Sequence, residues 1–345
     1  MTDIFEKNTP LHVACEHNHE IAKMLISAGA QVTTSNGVTP LHLACMHSAN
    51  EDLISVLISA GANVNALTGV SPLFLAVHES LDLAVIQKLI SSGATIDTQN
   101  DYSPLHWAFI KKLSMEKIKL FLSTNPDINS KNGNTLLHHA CNNNLPLDIL
   151  DLLLEKNADI NAVNNISPLS ILLENGTNIK AISFLLSKHP DVNIKSQRSP
   201  LHYACIKNLP KDIIETIIDL GADVNAEDQN TPLHSACQWN ANIDIVKLLL
   251  DKGASINSKT RDSPLHCVCR NRTNVELVKF LLTSGADIHS KANKTPLHLA
   301  CEYGASKEII QILLDFGADI NAVDEKKPED FTQDQEILTL LQQKK

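Results

Sequence analysis

The sequence predicts an all-α repeat solenoid, because a seven-residue phrase recurs at near-constant spacing and the same helical pattern follows each copy. The first spacing is 30 residues and the following eight are 32. A fixed period in this range is the signature of stacked repeats that share one continuous core. We therefore expect residues 1–345 to form a single repeat domain. The ten copies begin at Thr9, Thr39, Ser71, Ser103, Thr135, Ser167, Ser199, Thr231, Ser263 and Thr295.

The recurring phrase predicts the start of a short helix. Ser or Thr followed by Pro, as at Thr231 and Pro232, combines a helix N-cap with the residue favoured at the first helical position. Small or apolar residues then occupy the third, sixth and seventh positions of most copies, for example Leu233, Ala236 and Cys237. We expect these three positions to form the buried face of the helix.

A second helix is predicted from the twelfth position of each copy, where Asn242 is a typical capping residue. Apolar residues follow at helical spacing, as in Ile245 and Val246. This helix is expected to stop at a glycine such as Gly253, which adopts the left-handed backbone conformation readily. A short polar turn then leads to the next copy. The middle copies replace the glycine with Asn125, Asn157 and His189.

Both ends of the array are predicted to carry polar caps, since only the inner repeats have neighbours on both sides. The first copy contains the polar residues Glu16, His17 and His19. The last complete copy is followed by a degraded start, KPEDF, at Lys327. We expect residues 327–345 to form a C-terminal capping helix or half repeat, because DQEILTLLQQKK is amphipathic.

Three stretches resemble the consensus of the ankyrin repeat family: TPLHLAC, IVKLLLDKGASIN and GADVNA. The resemblance covers essentially the whole chain and implies an ankyrin-repeat array of antiparallel helix pairs, with the polar turns as short β-hairpin-like fingers. It also implies that the fourth-position histidine links neighbouring turns by hydrogen bonds. The period of 32 differs from the family's period of about 33 because the loop between the helices is one residue longer and the finger two residues shorter, so the fingers are predicted to be stubby.

Composition narrows the function classes. The formal net charge of -10 argues against binding to nucleic acid or to anionic membranes. No apolar stretch approaches the length of a membrane span, and the first ten residues do not resemble a signal peptide. Eight cysteines in a chain without a secretory signal predict an intracellular, cytoplasmic protein. We also expect a monomer.

The sequence contains no motif that predicts catalysis. A glycine-rich phosphate loop, G-x-S-x-G and H-E-x-x-H are all absent from it. About 19 residues follow the last full repeat, too few for a further catalytic domain. We therefore expect a protein that is not an enzyme and that uses no cofactor.

Histidine and cysteine recur as H-x-x-C in seven copies, and SPLHCVC from Ser263 to Cys269 adds a further thiol. Zinc needs four ligands at about 2.0–2.3 Å. Successive pairs of side chains are separated by the packing distance of neighbouring helices, about 10 Å, so they cannot close a site. We expect no metal site, and we expect these cysteines to act as small buried hydrophobes. Cys267, at the fifth position, is predicted to face the binding groove as a testable reactive thiol.

The large aromatic residues predict where a partner binds. The fifth and ninth positions of the first helix are four residues apart, so they share a face turned away from the buried stripe. By the family resemblance, this is the concave side that faces a ligand. An alternative for Tyr203 is packing between repeats. The predicted partner-binding residues in copies four to ten are Tyr102, Trp107, Ile110, Tyr203, Ile206, Trp239 and Tyr303.

Two function classes remain open from the sequence. The first is a non-catalytic scaffold or adaptor that binds a protein along the concave helix and finger surface. The second is a structural spacer or regulatory subunit held in a larger complex by its ends. A host-directed effector of an intracellular microbe is a further alternative. An exposed aromatic groove favours the first class, and a polar groove with apolar ends favours the second.

Overall fold

The computed structural model describes residues 9–33, 37–96, 103–129, 133–194, 196–258, 260–271, 274–323 and 326–343. Contacts between Cα atoms divide the chain into two compact units, Met1–Ala162 and Val163–Lys345, called unit 1 and unit 2 below. Every regular element within the described ranges is a helix. None of these helices is long and apolar enough to span a bilayer.

Unit 1 consists of helix pairs, five of them within the described residues. They are α1 Pro10–His17 with α2 His19–Ser27, α3 Pro40–Met46 with α4 Glu51–Ser59, α5 Pro72–His78 with α6 Leu83–Ser91, α7 Pro104–Ile110 with α8 Met115–Leu122, and α9 Leu136–Asn142 with α10 Leu147–Glu155.

Unit 2 repeats this organisation and ends on two further elements. Its described pairs are α11 Pro168–Asn175 with α12 Ile179–Ser187, α13 Pro200–Ile206 with α14 Lys211–Asp219, α15 Pro232–Gln238 with α16 Ile243–Asp251, α17 Pro264–Arg270 with α18 Val275–Thr283, and α19 Pro296–Glu302 with α20 Lys307–Asp315. A 3-10 turn over Pro328–Phe331 and the helix α21 Gln335–Gln343 follow.

The helices begin where the sequence predicts. In α3, the Thr39 hydroxyl accepts a hydrogen bond of 3.3 Å from the backbone N–H of His42, and Pro40 is the first helical residue. In α4, the side chain of Asn50 accepts a hydrogen bond of 3.1 Å from the N–H of Leu53. These bonds satisfy donors that a helix N-terminus leaves without an intrahelical partner.

Packing between successive pairs forms the core of each unit. In unit 2, α13 contacts α15 and α15 contacts α17, while α14 contacts α16. Leu233, Ala236 and Cys237 of α15 are fully buried, which confirms the predicted stripe at the third, sixth and seventh positions. Since each pair buries this stripe only when a neighbouring pair covers it, stability is shared between repeats.

The second helices end in left-handed residues, as predicted. Gly253 has φ 93°, and Asn157 and His189 occupy the same conformation at φ 62° and 53°. A second left-handed position, the tenth of copies two to eight and of copy ten, lies between the two helices and was not predicted. It holds residues with a side chain in most described copies, for example Lys112 at φ 55°. This extra turn residue accounts for the lengthened loop between the helices.

The expected β-hairpin fingers are reduced to turns. In the described residues, strand-like pairing within the turns consists of the isolated bridges Asn164–Ile166 and Asp228–Asn230. Neighbouring turns are joined instead by asparagine side chains. The Asn225 amide donates to the carbonyl of Gly253 at 3.0 Å and accepts from the N–H of Ser255 at 2.8 Å. The equivalent residues with both bonds are Asn65, Asn129, Asn193 and Asn257.

The two ends differ from each other. In the first pair, Met24 is 71% exposed, Ile21 49% and Val13 48%, so this end shows more apolar surface than the polar cap expected there. At the other end, α21 packs on α20 and buries Ile337 and Leu341. This second observation agrees with the amphipathic pattern of the last residues.

Candidate protein-interaction surface

The fourth-position histidines have a structural role. Nδ1 of His234 accepts a hydrogen bond from the backbone N–H of Thr231 at 3.2 Å. Nε2 therefore carries the proton and donates to the carbonyl of Asp262, in the next turn, at 2.7 Å. Burial lowers the pKa of this ring, which keeps it neutral. The same link to the next turn is made by His12, His42, His202, His266 and His298.

The cysteines lie in the core. All eight are free and buried. Cys267 lines a cleft on the groove side, as predicted, but it is 7% exposed and burial raises its pKa to about 12, so it is not an open, reactive thiol. The fifth position is covered because the first helices of successive pairs pack closely on each other. In the part of the chain that the structure describes, no group of three or more His, Cys, Asp or Glu residues could hold a metal ion.

Of the candidate residues in unit 1, Trp107 belongs to a small packed cluster of rings. The Trp107 ring lies edge-on to Phe74 at a centroid distance of 5.4 Å, and 5.7 Å from the ring of His78. Trp107 is consequently half-buried, whereas Ile110, one helical turn further along α7, is 37% exposed. Tyr102 lies outside the described residues. Ile110 and the exposed part of Trp107 are thus the accessible surface of these candidate residues in unit 1.

Tyr203 in unit 2 is a packing residue. It is 4% exposed, so its expected position on the open groove is wrong and the alternative of packing between repeats is correct. Burial also raises the pKa of its hydroxyl. The helix face carrying the fifth position is covered by the neighbouring helix pair, which the spacing along one helix does not reveal. Ile206, three residues further, is half-buried.

Trp239 and Tyr303 are exposed, as expected for the ninth position. Each is the first residue after its helix, following α15 and α19 respectively. Trp239 is 57% exposed and Tyr303 38%. A cleft of about 300 Å³ is lined by both of them together with Gln238, Cys267, Arg270 and Asn271. Two aromatic side chains therefore flank one concave surface on the first helices of unit 2.

A second cleft adjoins the first and is charged. Its volume is about 440 Å³, and it shares Arg270 and Tyr303 with the first cleft. We call the two clefts together the aromatic–basic cleft. The residues that line only the second part are Arg261, Asp262, Asn293, Lys294, Leu299 and Glu302.

Two ion pairs fix the charged part. Arg270 Nη1 lies 2.6 Å from a carboxylate oxygen of Asp262, and Lys294 Nζ lies 2.7 Å from one of Glu302. In one repeat the acid, Asp262, precedes the helix cap and the base, Arg270, ends the helix. In the next repeat the charges are exchanged, with Lys294 before the cap and Glu302 at the end of the helix. The Arg270 guanidinium also lies over the Tyr303 ring, 5.8 Å from its centroid. Arg270 thus connects the ionic part of the cleft with the aromatic part.

The basic residues of the cleft were not among the predicted site residues. Arg261 precedes the cap of its repeat and Arg270 follows the buried stripe, where isolated charges are typical of solvated helix faces. A local excess of basic residues could have indicated them, since Arg261, Arg270 and Lys294 face one cleft although the net charge of the chain is -10. Recognising this requires knowing that turn and helix positions of successive repeats converge.

Comparison with known proteins agrees with the repeat geometry. The family model for ankyrin repeats, which describes three copies, matches residues 1–68, 73–164, 169–260 and 233–324. A search of curated proteins gave no significant match. Among solved structures, the human ASB11 ankyrin repeat domain is similar at a TM-score of 0.55 and 23% identity, over 61% of this chain and 98% of that chain. This structural likeness shows the fold alone. Since the family model matches far more than half of the residues, the chain belongs to the ankyrin repeat family.

Proposed function

We propose that the protein is a non-catalytic interaction scaffold or adaptor, and that a protein partner binds at the aromatic–basic cleft of unit 2. Ankyrin repeats generally mediate protein–protein interaction, and members of the family are generally non-catalytic. The observation that carries the proposal for this chain is the exposure of Trp239 and Tyr303 on one cleft. Tryptophan and tyrosine are the residues most enriched at the energetic centres of protein interfaces.

The arrangement of these rings favours binding over a purely structural role. More than half of the Trp239 surface is exposed to solvent. The fold therefore does not need so large a side chain at this position for its own packing. Both rings follow the ends of fixed helices, and little conformational entropy is therefore lost when a partner covers them. Tyr303 is further held beneath the Arg270 guanidinium.

Alanine substitution tests the proposal. The tagged chain and the Trp239→Ala/Tyr303→Ala variant are used to capture proteins from lysate of the expressing cells, and bound proteins are quantified by mass spectrometry. We expect the double variant to lose a defined set of partners by at least tenfold, since truncation of an interface hot spot costs about 2 kcal/mol or more. Melting temperatures should stay close together because both side chains are exposed.

Phe316 provides a matched control. It is 40% exposed and follows α20 in the same unit, but it does not line the cleft. Phe316→Ala should retain the partners lost by the double variant. Equal recovery of every captured protein by the wild type and the double variant would contradict the proposed site.

A second function, as a spacer or regulatory subunit held by an end, is favoured by one observation in unit 1. The first helix pair exposes Val13, Ile21 and Met24. Several exposed apolar side chains on one helix pair are typical of surfaces that another protein covers. Met24→Glu should then release the chain from its complex in size-exclusion chromatography of lysate, whereas Leu67→Glu at an equally exposed residue should not. Co-elution unchanged by Met24→Glu argues against this function.

The proposed setting is a monomer in the cytoplasm. Eight free, buried thiols are consistent with a reducing compartment, where structural cysteines remain unpaired. The net charge of -10 leaves nucleic acid an unfavourable partner. Sedimentation of the purified chain tests the monomer, and fluorescence microscopy of the tagged chain tests the location.

A further inference from the structure

We infer that the aromatic–basic cleft recognises a peptide segment in which a carboxylate lies two to three residues from a large apolar side chain. This inference rests on the proposed function and specifies the chemistry of the partner. The apolar side chain is assigned to the Trp239 end of the cleft. The carboxylate is assigned to Arg270 and Arg261.

The charge of the cleft supports a carboxylate. Three cations, Arg261, Arg270 and Lys294, line it, against the two anions Asp262 and Glu302. Each anion is already paired with one cation, at 2.6 Å and 2.7 Å. Arg261 is exposed and makes no ion pair among the described residues. The cleft therefore has a surplus positive charge in a chain that is otherwise acidic, and an anionic group is attracted to it.

Arg270 has an unused donor. Its Nη1 is bound to Asp262, but its Nε–H is buried and has no hydrogen-bond partner among the described residues. Leaving a buried donor of a charged group unsatisfied is unfavourable. A carboxylate oxygen is the acceptor that a guanidinium edge binds best, because the hydrogen bond is charge-assisted and its geometry is planar. The Nε–H itself is closed to solvent, so a ligand carboxylate is assigned to the exposed part of this guanidinium, whose side chain is 39% exposed.

The neighbouring rings supply the apolar contact. Trp239, Cys267 and Tyr303 line the part of the cleft that lacks an acidic residue. The combined volume, from parts of about 300 and 440 Å³, lies within the range of ligand sites that hold several peptide groups. Trp239 and Arg270 belong to successive helix pairs, about 8–10 Å apart. An extended chain advances about 3.3 Å per residue, which gives the spacing of two to three residues.

Intrinsic fluorescence provides a direct test. The chain has two tryptophans, so Trp107→Phe leaves Trp239 as the only reporter and keeps an aromatic ring against Phe74. The probes are synthetic eight-residue peptides of Gly, Ser and Ala that carry one Phe or Leu and one Asp, with the separation varied from zero to five residues. Each peptide has a matched version with Asn in place of Asp. We expect peptides of the predicted spacing to shift Trp239 emission, and to bind roughly tenfold more tightly than their amide versions.

Variants locate the carboxylate. Arg270→Gln and Arg261→Gln should each weaken the Asp peptide at least fivefold and leave the weak titration of the Asn peptide unchanged. Arg270→Gln also breaks the ion pair with Asp262 and could therefore lower the melting temperature. In that case Arg261→Gln alone decides whether the carboxylate binds here. Arg198→Gln is the matched control, because Arg198 is an exposed arginine in another turn of unit 2 that does not line the cleft.

Three results would overturn the inference: equal titrations by Asp and Asn peptides, no response to either, or tighter binding of a short oligouridylate. Each of these leaves the proposed function standing if Trp239→Ala/Tyr303→Ala still loses its protein partners. Full capture by that double variant contradicts the proposed function itself, whatever the peptides do.

Discussion

The carbonyl oxygen of Asp262 accepts a hydrogen bond of 2.7 Å from Nε2 of His234, which lies in the preceding repeat. The carboxylate of the same aspartate lies 2.6 Å from Arg270 in the candidate surface. One residue thus joins a buried fourth-position histidine to the aromatic–basic cleft. The position of Arg270 over Tyr303 consequently depends on how well successive turns are held together.

The buried fourth-position histidines predict a loss of stability in mild acid. Burial lowers the folded-state pKa of these rings below the ordinary value of 6.5. Between the lowered pKa and 6.5 the unfolded chain binds more protons, so the free energy of unfolding falls as pH decreases below 6.5. Each ring contributes a slope of at most about 1.4 kcal/mol per pH unit. Urea titrations at pH 7.5, 6.5 and 5.5 measure this.

His234→Phe isolates one ring in that experiment. Phe74 occupies the equivalent position in the third copy and is buried, so the array accommodates this side chain. The variant should show a shallower decline below pH 6.5 than the wild type. Carboxyl groups scarcely titrate in this window, since their ordinary pKa values are about 4. Identical slopes for the two proteins would show that the ring is not held neutral by the fold.

The asparagine links between turns predict a moderate stabilising contribution. Asn225→Ala removes the bonds to the Gly253 carbonyl and the Ser255 N–H. Because these groups are partly accessible to water, we expect a loss of about 1–2 kcal/mol in the free energy of unfolding. Asn293→Ala, at an exposed asparagine without such a link, should change it by less than about 0.5 kcal/mol. Equal effects in both variants would indicate that the link is unimportant.

The left-handed residue between the helices predicts a stabilising substitution. Lys112 has φ 55°, a conformation that disfavours residues with a Cβ, whereas its neighbour Lys111 has φ -77°. Lys112→Gly should raise the free energy of unfolding by up to about 1 kcal/mol, and Lys111→Gly should lower it by about 0.5–1 kcal/mol. Thermal denaturation of the two variants gives the comparison. A fall in stability for Lys112→Gly would refute this interpretation of the loop.

The buried cysteines predict slow thiol chemistry. Cys267 is the thiol beside the cleft, yet burial raises its pKa to about 12 and little of it is exposed. Reaction with a maleimide at pH 7.4 should therefore leave the native chain almost unlabelled over an hour, while the urea-unfolded chain takes up eight labels. Cys267→Ser should not change the native result. Rapid labelling that this substitution abolishes would restore Cys267 as an accessible thiol.

The fold was largely predictable because the repeat supplies the same local signals many times. Proline at Pro232, the cap at Asn242 and the stop at Gly253 each act within a few residues of sequence, and all three lie where expected. The left-handed tenth position was missed because Lys112 and Ser48 are not typical of that conformation. There the chain geometry of the loop overrides residue preference.

The candidate surface was only partly predictable. Tyr203, in the middle of a first helix, and Trp239, just after the end of the next one, were predicted to share one face, but one is 4% exposed and the other 57%. The exposed fraction of each side chain depends on how successive repeats pack. The spacing of residues along a single helix does not reveal that packing. Arg270 was missed for the same reason, because its partners Asp262 and Tyr303 are brought to it by the turn and by the next repeat.

Site-specific photo-crosslinking tests the central claim most directly. The photoreactive residue p-benzoylphenylalanine is introduced in place of Trp239 in one variant and in place of Phe316, the exposed control, in another. Irradiation in the expressing cells should give crosslinks from position 239 to a protein segment that carries an acidic residue near a large apolar one, and none to that protein from position 316. Crosslinks to the same proteins from both positions, or from position 316 alone, would contradict a partner site at the aromatic–basic cleft.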